Sequence, residues 1–117
     1  MTSNSSFPQV ALPHHRLLAY GAAVRLLVAV KAARVRDAGL RDQAMRSAKS
    51  ACLNVAEGAG RVSRADKARV FAIARAEAGE AAAAVEIAAL SGDADDVAAV
   101  LAAANEVVAM LTGLIRP

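Results

Sequence analysis

The residues with the chemistry to bind or react lie mostly between positions 41 and 80. Arg46 and Lys49 stand one helical turn apart, Arg61, Arg64 and Lys67 follow, and Arg41, Arg69 and Arg75 flank them. Cations three or four apart share a helix face. Lysines and arginines gathered on one helix hairpin form a surface for phosphates. Phe71 is the one aromatic in this stretch and falls on an apolar face, so no platform for reading bases is expected. Contact with backbone and shape is the chemistry this pattern allows.

Other reactive side chains have structural readings. His14 and His15 are adjacent, so on a helix they diverge by about 100° and cannot chelate one metal together. Cys52 has no histidine near it in sequence and reads as a small buried hydrophobe. Glu77, Glu80 and Glu86 form a run of solvated or paired acids, and no Glu-x-x-His pair marks a di-iron bundle. Asn54 and Glu57 share a helix edge. They read as a tie between the helix end, neighbouring backbone and an arginine, with Glu80 as a partner in the same network. We expect no enzymatic activity, no cofactor and no metal.

Four helices must position these residues. Alanine, the strongest helix former, occupies 32 of 117 positions, and aromatics are 3%. Pro13 suits a first helical turn, and apolar spacing at Leu17, Tyr20, Val24, Leu27 and Val35 predicts a helix over 13–36, broken by Gly39. A second helix is expected over 40–57, with Ala44, Ala48, Ala51, Cys52 and Val55 on one face and Asp42, Arg46 and Lys49 opposite. Leu53 falls among the charges. Gly58 is placed as a left-handed C-cap, and Ser63 with Asp66 as a capping box that starts the third helix near Arg64. That helix carries Phe71, Ala74, Ala78, Val85 and Ala88 and stops at Ser91-Gly92. Asp93, Asp95 and Asp96 suit the start of a fourth helix, which carries Val97, Val100, Leu101, Ala104 and Leu111. Short connections force neighbours to be antiparallel, so the expected fold is all-α, an up-down-up-down four-helix bundle over 12–117 behind a flexible arm over 1–11.

Charge is unevenly divided. Residues 1–76 hold 13 Lys/Arg against 4 acids, whereas residues 77–117 hold Arg116 against 7 acids, within an overall net charge of +3. Such a division suits a polyanion partner or pairing between oppositely charged faces of two subunits. A single cysteine excludes an intrachain disulfide. The N-terminus does not read as a secretory signal, and the uncharged apolar stretches fall short of a ~20-residue span. A cytoplasmic protein with no membrane contact is expected.

The block Gln43-x-x-Arg46-Ser47-Ala48-x-Ser50-x-x-x-Asn54-Val55-Ala56-Glu57-Gly58, followed by Phe71-x-x-Ala74 and Glu80, resembles the family of 23S rRNA intervening-sequence proteins. That family also includes the accessory variability determinant protein of diversity-generating retroelements. The resemblance implies a homopentamer of four-helix bundles whose basic surface is used by some members to bind nucleic acid and a reverse transcriptase. Two functions follow as expectations. One is a nucleic-acid-binding accessory protein in which Arg46, Lys49, Arg61, Arg64 and Lys67 contact RNA or DNA phosphates. The other is an oligomerisation or protein-interaction module whose basic residues pair with the acidic half of a neighbour.

Overall fold

Alanine-rich amphipathic segments bury narrow faces and pack closely, and the chain does this four times. The computed structural model describes residues 12–117; among them there are helices and connections and no strand. A short 3-10 turn, Pro13–Arg16, leads into α1 (Leu18–Ala32), α2 (Ala38–Gly60), α3 (Arg64–Leu90) and α4 (Val97–Ile115). Each helix packs on its neighbours in sequence, α4 closes on α1, and α2 does not meet α4. The result is a four-helix bundle. The arm expected over 1–11 lies outside the described residues.

Two connections meet at one end. The Arg36 amide donates to the Asp93 carbonyl at 2.8 Å, and the Asp95 amide to the Ala33 carbonyl at 2.7 Å. The Arg36 guanidinium adds bonds to the Gly92 carbonyl at 3.0 Å and the Asp95 carboxylate at 3.2 Å. The α1–α2 and α3–α4 loops are thus tied together. At the other end Arg64 donates to the Arg116 carbonyl at 3.0 Å, joining the α2–α3 turn to the C-terminus of α4.

The core holds Leu26, Val55, Val70, Val85, Val100, Val107 and Leu111, with buried alanines such as Ala23, Ala48, Ala74, Ala81 and Ala104, whose small side chains let helices pack closely. The faces expected for α2 and α3 are the buried ones. In α1 the stripe is displaced: Ala19, Ala22, Ala23, Leu26 and Val30 are buried, while Tyr20, Val24 and Leu27 flank it. Small residues occupy the closest approach and the larger ones close its sides.

Several boundaries differ from the pattern-based expectation. Leu17 is extended, so the first helix is divided there, and the His14 ring packs edge-on against Tyr20 at 4.6 Å. The helix ends at Ala32 because Arg34 adopts a left-handed backbone with φ 51°. Gly39 breaks nothing; it lies in the first turn of α2, whose N-cap is Asp37 with its carboxylate accepting from the Leu40 amide at 2.9 Å. Gly58 is not the C-cap. It is buried within α2, where a Cβ would stand 2.7 Å from the Phe71 ring, and the helix runs on to Gly60. Ser63 caps α3, accepting from the Asp66 amide at 3.1 Å, but the expected box is not closed, because the Asp66 carboxylate meets Arg61 and Arg69 instead. The aspartates before α4 do not cap it: Asp96 occupies the N-cap position in a left-handed conformation without a side-chain bond, and Asp95 is held by Arg36.

Helix α4 spans the residues expected of it and is strongly apolar. An 18-residue stretch of it reaches a mean hydropathy of 1.8, enough by length and composition to cross a membrane. Its residues Val100, Ala104, Val107 and Leu111 are buried at alternating spacings of four and three against the bundle, the arrangement of a core-facing helix.

Candidate nucleic-acid interface

The cations expected to form one surface divide into two groups. Between Lys49 and Arg61 lie twelve helical steps, about 18 Å at 1.5 Å per residue. The groups also differ in what holds them.

Arg61, Arg64 and Lys67 are engaged within the chain. Arg61 bridges Glu57 at 3.1 Å and Asp66 at 3.4 Å, and those acids, the Glu57 bond first, hold its guanidinium charged. Asp66 also accepts from Arg69 at 2.9 Å, and chiefly for that reason its carboxyl is kept below the usual aspartate range. Lys67 donates to the Ala59 carbonyl at 2.9 Å and reaches the Gly58 carbonyl at 3.5 Å. It caps the exposed carbonyls at the negative end of α2. Arg64 carries the bond to Arg116 already described. These three side chains hold the turn together.

Arg46 and Lys49 face outward from α2. Arg46 donates to the Gln43 amide oxygen, and Gln43 donates in turn to Ser47 at 3.0 Å and to Glu80 at 3.0 Å across the α2–α3 groove. The neighbouring Glu77 carboxyl raises the Glu80 carboxyl, and the Arg46 charge opposes this. Glu80 therefore belongs with Gln43 rather than with Asn54 and Glu57. Asn54 bonds the Ser50 carbonyl at 2.9 Å and hydroxyl at 3.1 Å within its own helix, whereas Glu57 does meet an arginine, Arg61.

The sequence pattern missed Lys31 and Arg34. Together with Arg41 they surround a cavity of about 230 Å³ between the end of α1 and the start of α2, walled by Val30, Val35 and Met45. A second depression, lined by Asp42, Met45, Arg46, Lys49, Ser50 and Leu53, continues it along α2. The side chains of Lys31, Arg34, Arg41 and Lys49 make no hydrogen bond or ion pair with any described residue. No residue-type rule places Arg in a left-handed position just past a helix end, which favours Gly, so the sequence carried no signal for Arg34.

Other candidates stay structural in geometry. Cys52 is buried, and burial pushes its thiol up, away from the reactive thiolate. Partial burial lowers the His14 imidazole, aided by His15, and the Leu12 amide donates to His15 Nδ1 at 3.0 Å. Among the described residues no three His, Cys, Asp or Glu side chains converge on a metal position.

The fold and the outward cationic row define a small all-helical bundle protein with a basic edge. Residues 18–113 match the 23S rRNA-intervening sequence protein family, and the chain belongs to that family. No curated protein matches it.

Proposed function

We propose that the protein is a non-enzymatic, cytoplasmic nucleic-acid-binding bundle that works as a homo-oligomer, a homopentamer by its resemblance to retroelement accessory proteins. The observation carrying this reading is the row Lys31, Arg34, Arg41 and Lys49, joined by Arg46, whose charges are not neutralised by acids on their own helices. Unpaired surface cations in a row suit a polyanion backbone, and repetition around an oligomer axis makes weak phosphate contacts act together. The family's name, which refers to an rRNA insertion, supports RNA as the first ligand to try. Arg61, Arg64 and Lys67 contribute less in this reading than their spacing implied, because their donors already hold the turn. A reverse transcriptase is a protein partner consistent with the same resemblance, and no membrane contact is part of the proposal.

Self-association is supported separately by apolar side chains left outside the bundle: Leu53 is 70% exposed and Leu90 84%, and Ile87 and Leu101 are also exposed. Native mass spectrometry with and without RNA tests both halves. A five-fold mass that gains RNA supports the reading. A five-fold mass that never gains RNA favours an oligomerisation module, and a monomer mass across micromolar concentrations contradicts the assembly.

A further inference from the structure

The basic edge contains something a purely phosphate-binding surface does not need, an apolar hole. Val30 and Val35 are 3% and 4% exposed and form its buried wall, Met45 stands half-buried beside them, and Lys31, Arg34 and Arg41 ring the mouth. At about 230 Å³ it exceeds the ~150 Å³ that takes benzene in an engineered protein core, and it is smaller than sites for drug-sized ligands. It fits one ring with its substituents. The thioether of Met45 suits contact with an aromatic ring, and guanidinium planes stack on bases.

Arg34 adds a second, independent observation. Its φ of 51° is a conformation that costs an L-residue and that glycine adopts freely. Its guanidinium makes no internal bond; the contacts at this residue are main-chain ones, its amide donating to the Lys31 carbonyl at 3.3 Å and its carbonyl accepting from Arg36 at 3.3 Å. The turn also serves the fold, since the neighbouring Ala33 carbonyl and Arg36 amide tie the two loops together, but strained residues concentrate at binding sites, and this one brings a free cation to the cavity mouth.

From this juxtaposition we propose that the cavity receives the base of an unpaired nucleotide while Lys31, Arg34 and Arg41 hold the phosphates on either side. The protein then prefers single-stranded or looped nucleic acid to a double helix, whose bases are stacked inside and unavailable without flipping. The walls offer no hydrogen-bond code, so the site takes any base. This inference rests on the nucleic-acid reading above and goes beyond it by naming the strand form and the pocket.

The test compares three probes at low salt on the full chain: an unstructured RNA oligonucleotide, the same oligonucleotide with abasic positions, and its duplex. The intact single strand is expected to bind about 5- to 160-fold more tightly than the abasic one, the range of one base stack. Its addition should shift the methyl resonances of Val30, Val35 and Met45, with the abasic strand leaving them in place. Arg34→Gly relieves the backbone strain while removing the charge. It should melt at or above the wild-type temperature and lose most of the preference for the intact strand, and Met45→Ala should lose part of it. Equal affinity for intact, abasic and duplex RNA, or an Arg34→Gly variant that binds like wild type, overturns the pocket and leaves the phosphate-binding edge standing. Absence of binding to all three probes overturns both.

Discussion

Gly58 shows how one atom can decide a position. Its Cα faces the Phe71 ring so closely that a methyl group would overlap two ring carbons at 2.7 Å, and both residues are buried. Replacing Gly58 with Ala gains helix propensity but forces Phe71 or the α2–α3 separation to move, and overpacking of this kind costs about 1–3 kcal/mol. Chemical denaturation of Gly58→Ala should show that loss; a variant as stable as wild type would mean the ring moves freely. Glu80 makes a second residue-scale prediction. Its carboxyl is raised by Glu77, so the folded chain holds that proton more tightly than the unfolded chain. The resulting stabilisation is complete below the usual glutamate value of 4.5 and is lost as pH rises through the raised value. Asp66, lowered chiefly by Arg69, acts in the opposite sense: its contribution is present above the usual aspartate value of 3.8 and is lost as pH falls through the lowered one. The melting midpoint should therefore rise as pH falls from neutral toward 4.5, then fall in stronger acid. Glu80→Gln should remove the first rise, and a variant that retains it would exclude Glu80 as its source.

At the scale of elements, apolar periodicity is a good guide where one face is buried throughout, as in α2 and α3. It misleads where alanine is both the commonest residue and the one at the closest approach. In α1 the larger Tyr20, Val24 and Leu27 drew attention to the flanks, while Ala19, Ala22 and Ala23 make the seam. Helix ends were harder to read. Arg34 and Asp96 take left-handed conformations that no residue-type rule assigns to Arg, and Gly39 and Gly58 sit inside a helix that their type argued against. The candidate site inherited those errors. A first helix drawn to residue 36 hides the turn at Arg34 that brings Lys31 and Arg34 beside Arg41, and nothing in spacing alone reveals that Arg61, Arg64 and Lys67 are occupied by Glu57, Asp66 and main-chain carbonyls. Helix α4 gives the corresponding stability prediction. Leu111 is fully buried on a helix that packs against α1 and α3, in a core with few large residues to collapse inward. Leu111→Ala should cost about 2–5 kcal/mol, measured as a shift in the urea midpoint at unchanged slope. A loss well under 1 kcal/mol would mean the α4 seam is not part of the cooperative core.

For the whole molecule the consequence is a division of charge by task. Arg25, Arg36, Arg61 and Arg69 pair with acids, and two of these pairs link elements far apart in the chain. Exposed pairs of this kind add little stability singly; they fix how the helices and loops meet. Among the cations without an acidic partner, the α1–α2 edge carries a continuous row. Its central claim is that these charges, rather than those of the α2–α3 turn, meet phosphate. The most direct measurement is the slope of log K against log salt for a single-stranded RNA, taken for wild type, for Lys31→Ala/Lys49→Ala and for Arg61→Ala/Arg64→Ala. Each phosphate contact contributes about −0.7 to that slope. The edge variant should flatten it by about 1.4, two contacts at that value, and the turn variant should leave it close to wild type. A slope flattened by the turn variant alone, or no affinity in wild type even at low salt, would contradict the account.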